Sequence, residues 1–178
     1  MKKKIIFFDG DGTLWYPTKT KYRKIPHWVY KLGGNHKAHN SHLIMTPTSV
    51  STIKKLKKLE ILTIILSTHP QQPKEAEIII KEKIRHFKLK ELFDEIIATP
   101  DKGFYKHKGR MITKILKKRK IPKTQALMVG DSYKWDYKPA KEVGVEALLI
   151  KSHYQKQHPI AKRIKKTITK LSDVLDYV

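Results

Sequence analysis

The chain has 178 residues, enough to bury one full core with little room for a second, and it contains no cysteine, which excludes disulfides and thiolate metal sites. Its 39 Lys and Arg against 16 Asp and Glu give a formal net charge of +23, a field that steers polyanions and concentrates phosphate near the surface. No apolar run approaches the length of a membrane span, and residues 1–8 are too short for a secretory signal, so no membrane partner and a cytoplasmic location are expected.

In chain order, Ile5, Ile6, Phe7 and Phe8 predict a buried strand, after which Gly10 and Gly12 let the backbone turn sharply. Residues 16–48 form an irregular insert. Val50, Ile53, Leu56 and Leu59 then recur every three residues, predicting a helix that feeds a β-branched strand over residues 61–66. Pro73 suits the first turn of the next helix, whose apolar face is expected from Ile78, Ile79, Ile80, Ile84 and Phe87. A short strand at 95–98, a helix over 109–120, a strand at 126–129, a short helix around 139–143 and a strand at 146–150 follow. The basic tail, 151–178, is expected to hold one or two surface helices between Pro159 and Tyr177. This alternation predicts a single α/β domain over 1–178 with a Rossmann-like, doubly wound parallel sheet.

Two acidic clusters follow apolar strands. Asp9 and Asp11 close the first, in DGDGTLW, and Asp131 and Asp136 follow Gly130 in GDSYKWD. Four of only 16 acids therefore sit at two strand ends, on the edge of an open α/β sheet where ligands bind. The segment DxDGT resembles the first motif of the haloacid dehalogenase superfamily, and GDxxxxD resembles its fourth. The Leu14–Trp15 extension resembles the magnesium-dependent phosphatase branch. The resemblance covers roughly residues 4–150 and implies the strand order 5-4-1-2-3, with the two acidic strand ends adjacent at the centre and a minimal cap or flap.

It also implies roles. Asp9 is the expected nucleophile, forming an aspartyl-phosphate, and Asp11 the general acid and base. A Mg²⁺ ion is expected at Asp9, Asp131 and the backbone carbonyl of Asp11, with Asp136 near the metal or supporting its shell. Hard oxygen ligands, with no cysteine and no histidine pair at metal spacing, favour Mg²⁺ over zinc. Gly12 and Thr13 are expected near the phosphate. The second-motif hydroxyl falls at Ser67, with Thr68 the alternative beside it, and both are candidate phosphate contacts. For the third-motif lysine, Lys102, Lys106 and Lys108 compete. The separation from Asp131 favours Lys106, with Lys108 next. The implied activity is Mg²⁺-dependent hydrolysis of a phosphomonoester.

A cap module has room only in the 16–48 insert, which is long enough for a flap or short hairpin and leaves an open site. No Asp or Glu lies between Asp11 and Glu60, an interval with ten Lys and Arg from Lys19 to Lys58. Trp15, Tyr16, Tyr22, Trp28 and Tyr30 interleave with that basic stretch, a pattern suited to stacking exposed bases. A nucleic-acid partner, or a phosphate on a nucleic-acid end as substrate, is therefore the alternative to a small phosphorylated metabolite or a phosphoprotein. The competing explanation is a lysine-rich solvated surface. His27, His36, His39 and His42 fit no standard metal spacing. Oligomeric state is left open.

Overall fold

Strand β1 (Ile5–Phe8) is apolar at every position because the sheet it runs through is covered on both faces. The computed structural model describes residues 2–18, 40–100, 106–151 and 159–178. Within them a short antiparallel pair, β2 (Trp15–Pro17) and β3 (Leu43–Met45), stands apart from the main sheet. That sheet is parallel and adds β4 (Leu62–His69), β5 (Glu95–Pro100), β6 (Ala126–Gly130), β7 (Glu146–Ile150) and β8 (Thr167–Ile168) to β1. The spatial order is β5-β4-β1-β6-β7-β8. Counted along the chain, β1, β4, β5, β6 and β7 lie in the expected order 5-4-1-2-3, and β8 extends the sheet by a strand that was not expected.

Period-two alternation sends neighbouring side chains into two separate cores. Ile6, Phe8, Ile65, Leu127 and Val129 face helices α1 (Ser49–Lys58) and α2 (Pro73–His86). Ile5, Phe7, Ile64, Leu66 and Met128 face α3 (His107–Arg119) and Ala140 of α4 (Lys138–Glu142). Parallel pairing of β1 with both β4 and β6 places the carboxyl ends of these three strands side by side. Asp9, Ser67 and Asp131, the first and last just beyond their strands and Ser67 near the end of β4, therefore lie at one edge of the sheet.

Several expectations change. Strand β4 runs on through Ser67, Thr68 and His69, which pair with Ala98, Thr99 and Pro100 of β5, so the second-motif residues lie in the sheet and not in a turn. Ile78 points away from the core of α2 and is 58% exposed, because the buried stripe follows Ala76, Ile79, Ile80 and Ile84. The tail is not a pair of surface helices. It forms 3₁₀ turns at Pro159–Arg163 and Leu171–Tyr177 around β8, and Leu171 and Val174 are fully buried against the α1 side of the sheet. Apolar residues three apart in a tail with no long helical stripe settle as an edge strand and a 3₁₀ cover. The base of the 16–48 insert is the β2–β3 pair, and residues 19–39, with His27, His36, His39, Tyr22, Trp28 and Tyr30, lie outside the described residues.

A tail that closes a core is energetically coupled to it. Leu171→Ala is expected to cost roughly 2–5 kcal/mol in urea unfolding, whereas a residue on a solvated surface helix costs less than about 0.5 kcal/mol.

Candidate active site

Asp9 follows β1 directly, and its backbone N–H donates to Val129 O of the adjacent strand at 2.9 Å, which pins the residue to the β6 end. Asp131 follows β6. Asp136 belongs to a single turn of π-helix, Tyr133–Tyr137, that folds its carboxylate back over the start of the turn, where the Ser132 N–H donates to Oδ2 at 2.9 Å. Carboxylate oxygens of Asp9, Asp131 and Asp136 all lie within 4.8 Å of one another. Two glycines make this convergence possible. Gly12 has φ +96°, and a Cβ there would lie 2.3 Å from Asp131 Oδ2. A Cβ on Gly130 would lie 2.3 Å from the Asp136 carboxylate.

Lys108 enters from α3, 1% exposed, and its Nζ donates to Asp9 Oδ1 at 2.9 Å and to Asp136 Oδ1 at 2.5 Å. Lys106, favoured on spacing, is exposed at the start of α3, and no ion pair to the carboxylates is found for it among the described residues. The helix period explains the difference. Lys108 shares the buried stripe of α3 with Ile112, Ile115 and Leu116, while Lys106 lies off that stripe. Lys102 falls outside the described residues.

Three acids and one ammonium leave the cluster with excess negative charge, and its protonation equilibria respond. Burial, then the charge of Asp9, pushes the Asp136 carboxyl up to about 7, against the pull of Lys108 and the Ser132 N–H. Burial and the charges of Asp9 and Asp136 hold Asp131 well above the usual carboxylate range. For Lys108, burial works to lower the pKa, but the charges of Asp136 and Asp9 outweigh it, so the ammonium is held above its ordinary value. Asp131 Oδ2 is buried without a hydrogen-bond partner. An orphaned carboxylate oxygen inside a like-charged, all-oxygen cluster fits a hard divalent cation of the Mg²⁺ type.

The remaining expected residues divide. Ser67 is buried with its Oγ beside Gly10 of the first motif, whereas Thr68, one residue on and so on the opposite face of β4, pairs its hydroxyl with Thr99 at 3.1 Å. The amides of Gly12 and Thr13 are used inside the turn, donating to Trp15 O at 2.8 Å and Gly10 O at 3.2 Å, and Thr13 is fully buried. Both amides are thus engaged inside the turn, and the buried Thr13 Oγ1 has no hydrogen-bond partner among the described residues. Trp15 is also fully buried, stacked on Phe87 with ring centroids 6.1 Å apart, and cannot stack on an exposed base. The Asp11 carboxylate lies outside the three-acid cluster. It is held instead by Lys83 Nζ at 2.8 and 3.0 Å and by Trp15 Nε1 at 2.6 Å. Lys83 escaped the sequence reading, although a lysine on the apolar stripe of α2 was the available signal.

The profile of the haloacid dehalogenase-like hydrolases matches residues 11–150, and the chain belongs to that family. Among curated proteins no sequence match is found. Solved structures share the fold at low identity. A haloacid dehalogenase-like family hydrolase from Streptococcus pneumoniae is 16% identical with a TM-score of 0.69, covering 98% of each chain. A predicted phosphatase from Clostridium acetobutylicum is 16% identical with a TM-score of 0.70, over 99% of this chain and 98% of its own. A predicted phosphoglycolate phosphatase from Haemophilus somnus is 16% identical with a TM-score of 0.71, over 99% and 98%.

The raised Asp136 pKa has a definite sign in stability. Between about pH 4, where an unfolded aspartate ionises, and about 7, the folded state keeps a proton the unfolded state has lost, so stability falls as pH rises through that window. In chelator, the melting temperature is expected to drop from pH 5 to pH 8. Asp136→Asn should flatten that drop, and added Mg²⁺ should raise the pH 8 value.

Proposed function

We infer that this hydrolase cleaves phosphomonoesters, with Asp9 as the phosphoryl acceptor. The observation that carries the reading is the buried Asp9 carboxylate, held by the Lys108 ammonium within a three-acid cluster at the sheet edge. The phosphatase names of the Clostridium acetobutylicum and Haemophilus somnus structures support the same reaction class.

Asp9 and Asp131 would hold a Mg²⁺ ion together with the backbone carbonyl of Asp11, while Asp136, both of whose oxygens already accept hydrogen bonds, would support the site from behind. Such an ion supplies charge neutralisation at the phosphoryl oxygens. Asp9 attacks phosphorus in line, forming an O–P bond to its carboxylate as the bond to the leaving oxygen breaks. Asp11, ionised beside Lys83 in the resting arrangement, would take up the proton that a monoanionic phosphate ester carries and give it to that leaving oxygen. It then takes a proton from the water that attacks the aspartyl-phosphate, releasing inorganic phosphate and restoring Asp9. An acid that serves the leaving oxygen stands on the far side of the phosphoryl group from the nucleophile, in keeping with an Asp11 carboxylate outside the cluster. Lys108 would compensate the charge of Asp9 before and after transfer, and Ser67, whose Oγ lies beside Gly10, would donate its hydroxyl to a phosphoryl oxygen. Thr68 is tied to Thr99 and is the weaker candidate.

A second reading concerns the substrate. The net charge of +23 and the absence of Asp and Glu from residues 12–59 suit a polyanionic carrier of the phosphate, such as the end of a nucleic acid, as the alternative to a small metabolite or a phosphoprotein.

Steady-state assays on p-nitrophenyl phosphate test the reaction. Asp9→Asn and excess chelator should each abolish turnover, and Lys108→Met should lower kcat by at least about 100-fold, whereas Lys106→Ala should stay within about twofold. Turnover by Asp9→Asn at the parent rate would remove Asp9 as nucleophile. For the polyanion reading, KM for a 5′-phosphorylated oligonucleotide should climb steeply with salt while KM for p-nitrophenyl phosphate stays flat. Flat KM on both substrates would assign the lysines to solvation alone.

A further inference from the structure

The core-facing residues of α2 are Ala76, Ile79, Ile80, Lys83 and Ile84, so Lys83 occupies a position on the apolar stripe and is 1% exposed. A well-packed apolar side chain would serve that core at least as well as a lysine, because an ammonium removed from water is tolerated only with a charged partner. The partner is Asp11, separated by 72 residues in sequence. Lys83 Nζ donates to both of its carboxylate oxygens, at 2.8 and 3.0 Å. A second donor, Trp15 Nε1, reaches Oδ1 at 2.6 Å, and the ammonium also lies 5.7 Å from the centre of the Trp15 ring. Trp15 is stacked on Phe87, which caps the carboxyl end of α2, so one helix end holds both donors. Two donors arriving from different directions fix the rotation of the carboxylate as well as its place.

We propose that Lys83 is a positioning residue for Asp11: with Trp15 as the second donor, it locks the acid/base carboxylate in the orientation from which it serves the leaving oxygen. The proposal rests on the acid/base role inferred for Asp11 above. Lys83 meets the carboxylate of Asp11 through both oxygens, and that ion pair is the route by which it acts.

The test is a double-mutant cycle between Lys83→Met and Asp11→Asn, assayed with Mg²⁺ on p-nitrophenyl phosphate, whose leaving group needs no proton, and on β-glycerol phosphate, whose leaving group does. Lys83→Met is expected to lower kcat on β-glycerol phosphate roughly 10- to 100-fold, with a distinctly smaller loss on p-nitrophenyl phosphate and the same Mg²⁺ requirement. In the Asp11→Asn background it should cost nothing further. Lys83→Gln, which keeps an N–H donor, should recover part of the loss. A full additional loss in the Asp11→Asn background would show that Lys83 acts through the core and overturn the proposal, whereas a loss shared by both substrates reports the water-activating step, in which Asp11 also takes part. If Asp11→Asn itself turns over both substrates at the parent rate, the acid/base reading of Asp11 fails first, and that result is distinct from additivity. Thermal melting identifies a variant that does not fold. In that event Lys83→Gln and Trp15→Phe, which removes one donor and keeps the ring, carry the same comparison.

Discussion

Like charges gathered at one sheet edge must be at least partly offset by buried ammonium groups, and the rest of the architecture serves that constraint. Parallel pairing of β1 with β6 brings Asp9 and Asp131 together, and the π-turn after β6 adds Asp136. Two buried lysines answer them from opposite faces of the sheet. Lys108 comes from α3 and meets Asp9 and Asp136, while Lys83 comes from α2 and meets Asp11. The loop after β1 is thus gripped from both layers, with Asp9 turned to one lysine and Asp11 to the other.

That division gives residues only two apart different settings. Asp9 sits where negative charge is concentrated and only partly offset, a setting that fits a hard cation. Asp11 sits with a fully engaged ammonium and an indole N–H, a setting that fixes geometry. The glycine between the two acids and the left-handed Gly12 after them give the backbone the sharp reversal that sends the two carboxylates to different neighbours.

Among the described residues the periphery closes the core. The tail covers the α1 side of the sheet through Leu171 and Val174, and Glu146 fastens it by pairing with both Lys166 and Lys3, which draw the Glu146 pKa down to about 2. The described base of the insert is a three-residue antiparallel pair whose Trp15 belongs to the core.

Much of this was legible in the chain itself. Apolar runs ending in acid identified β1 and β6, and alternation of strand and helix patterns identified the parallel sheet, because burial on both faces leaves an unbroken hydrophobic signature. The four aspartates were visible for the same reason: acids are scarce in this chain, so their place at strand ends stands out. The lysines were not separable by type or spacing along the chain, since 39 basic residues compete and separation from Asp131 favoured Lys106. Only the folded helices decide which lysine faces inward. The rotation of α3 buries Lys108 and exposes Lys106, and the rotation of α2 carries Lys83 to Asp11. Tertiary structure likewise drew Trp15 and the tail into the core, where burying apolar surface outweighs the local preference for a surface turn or helix.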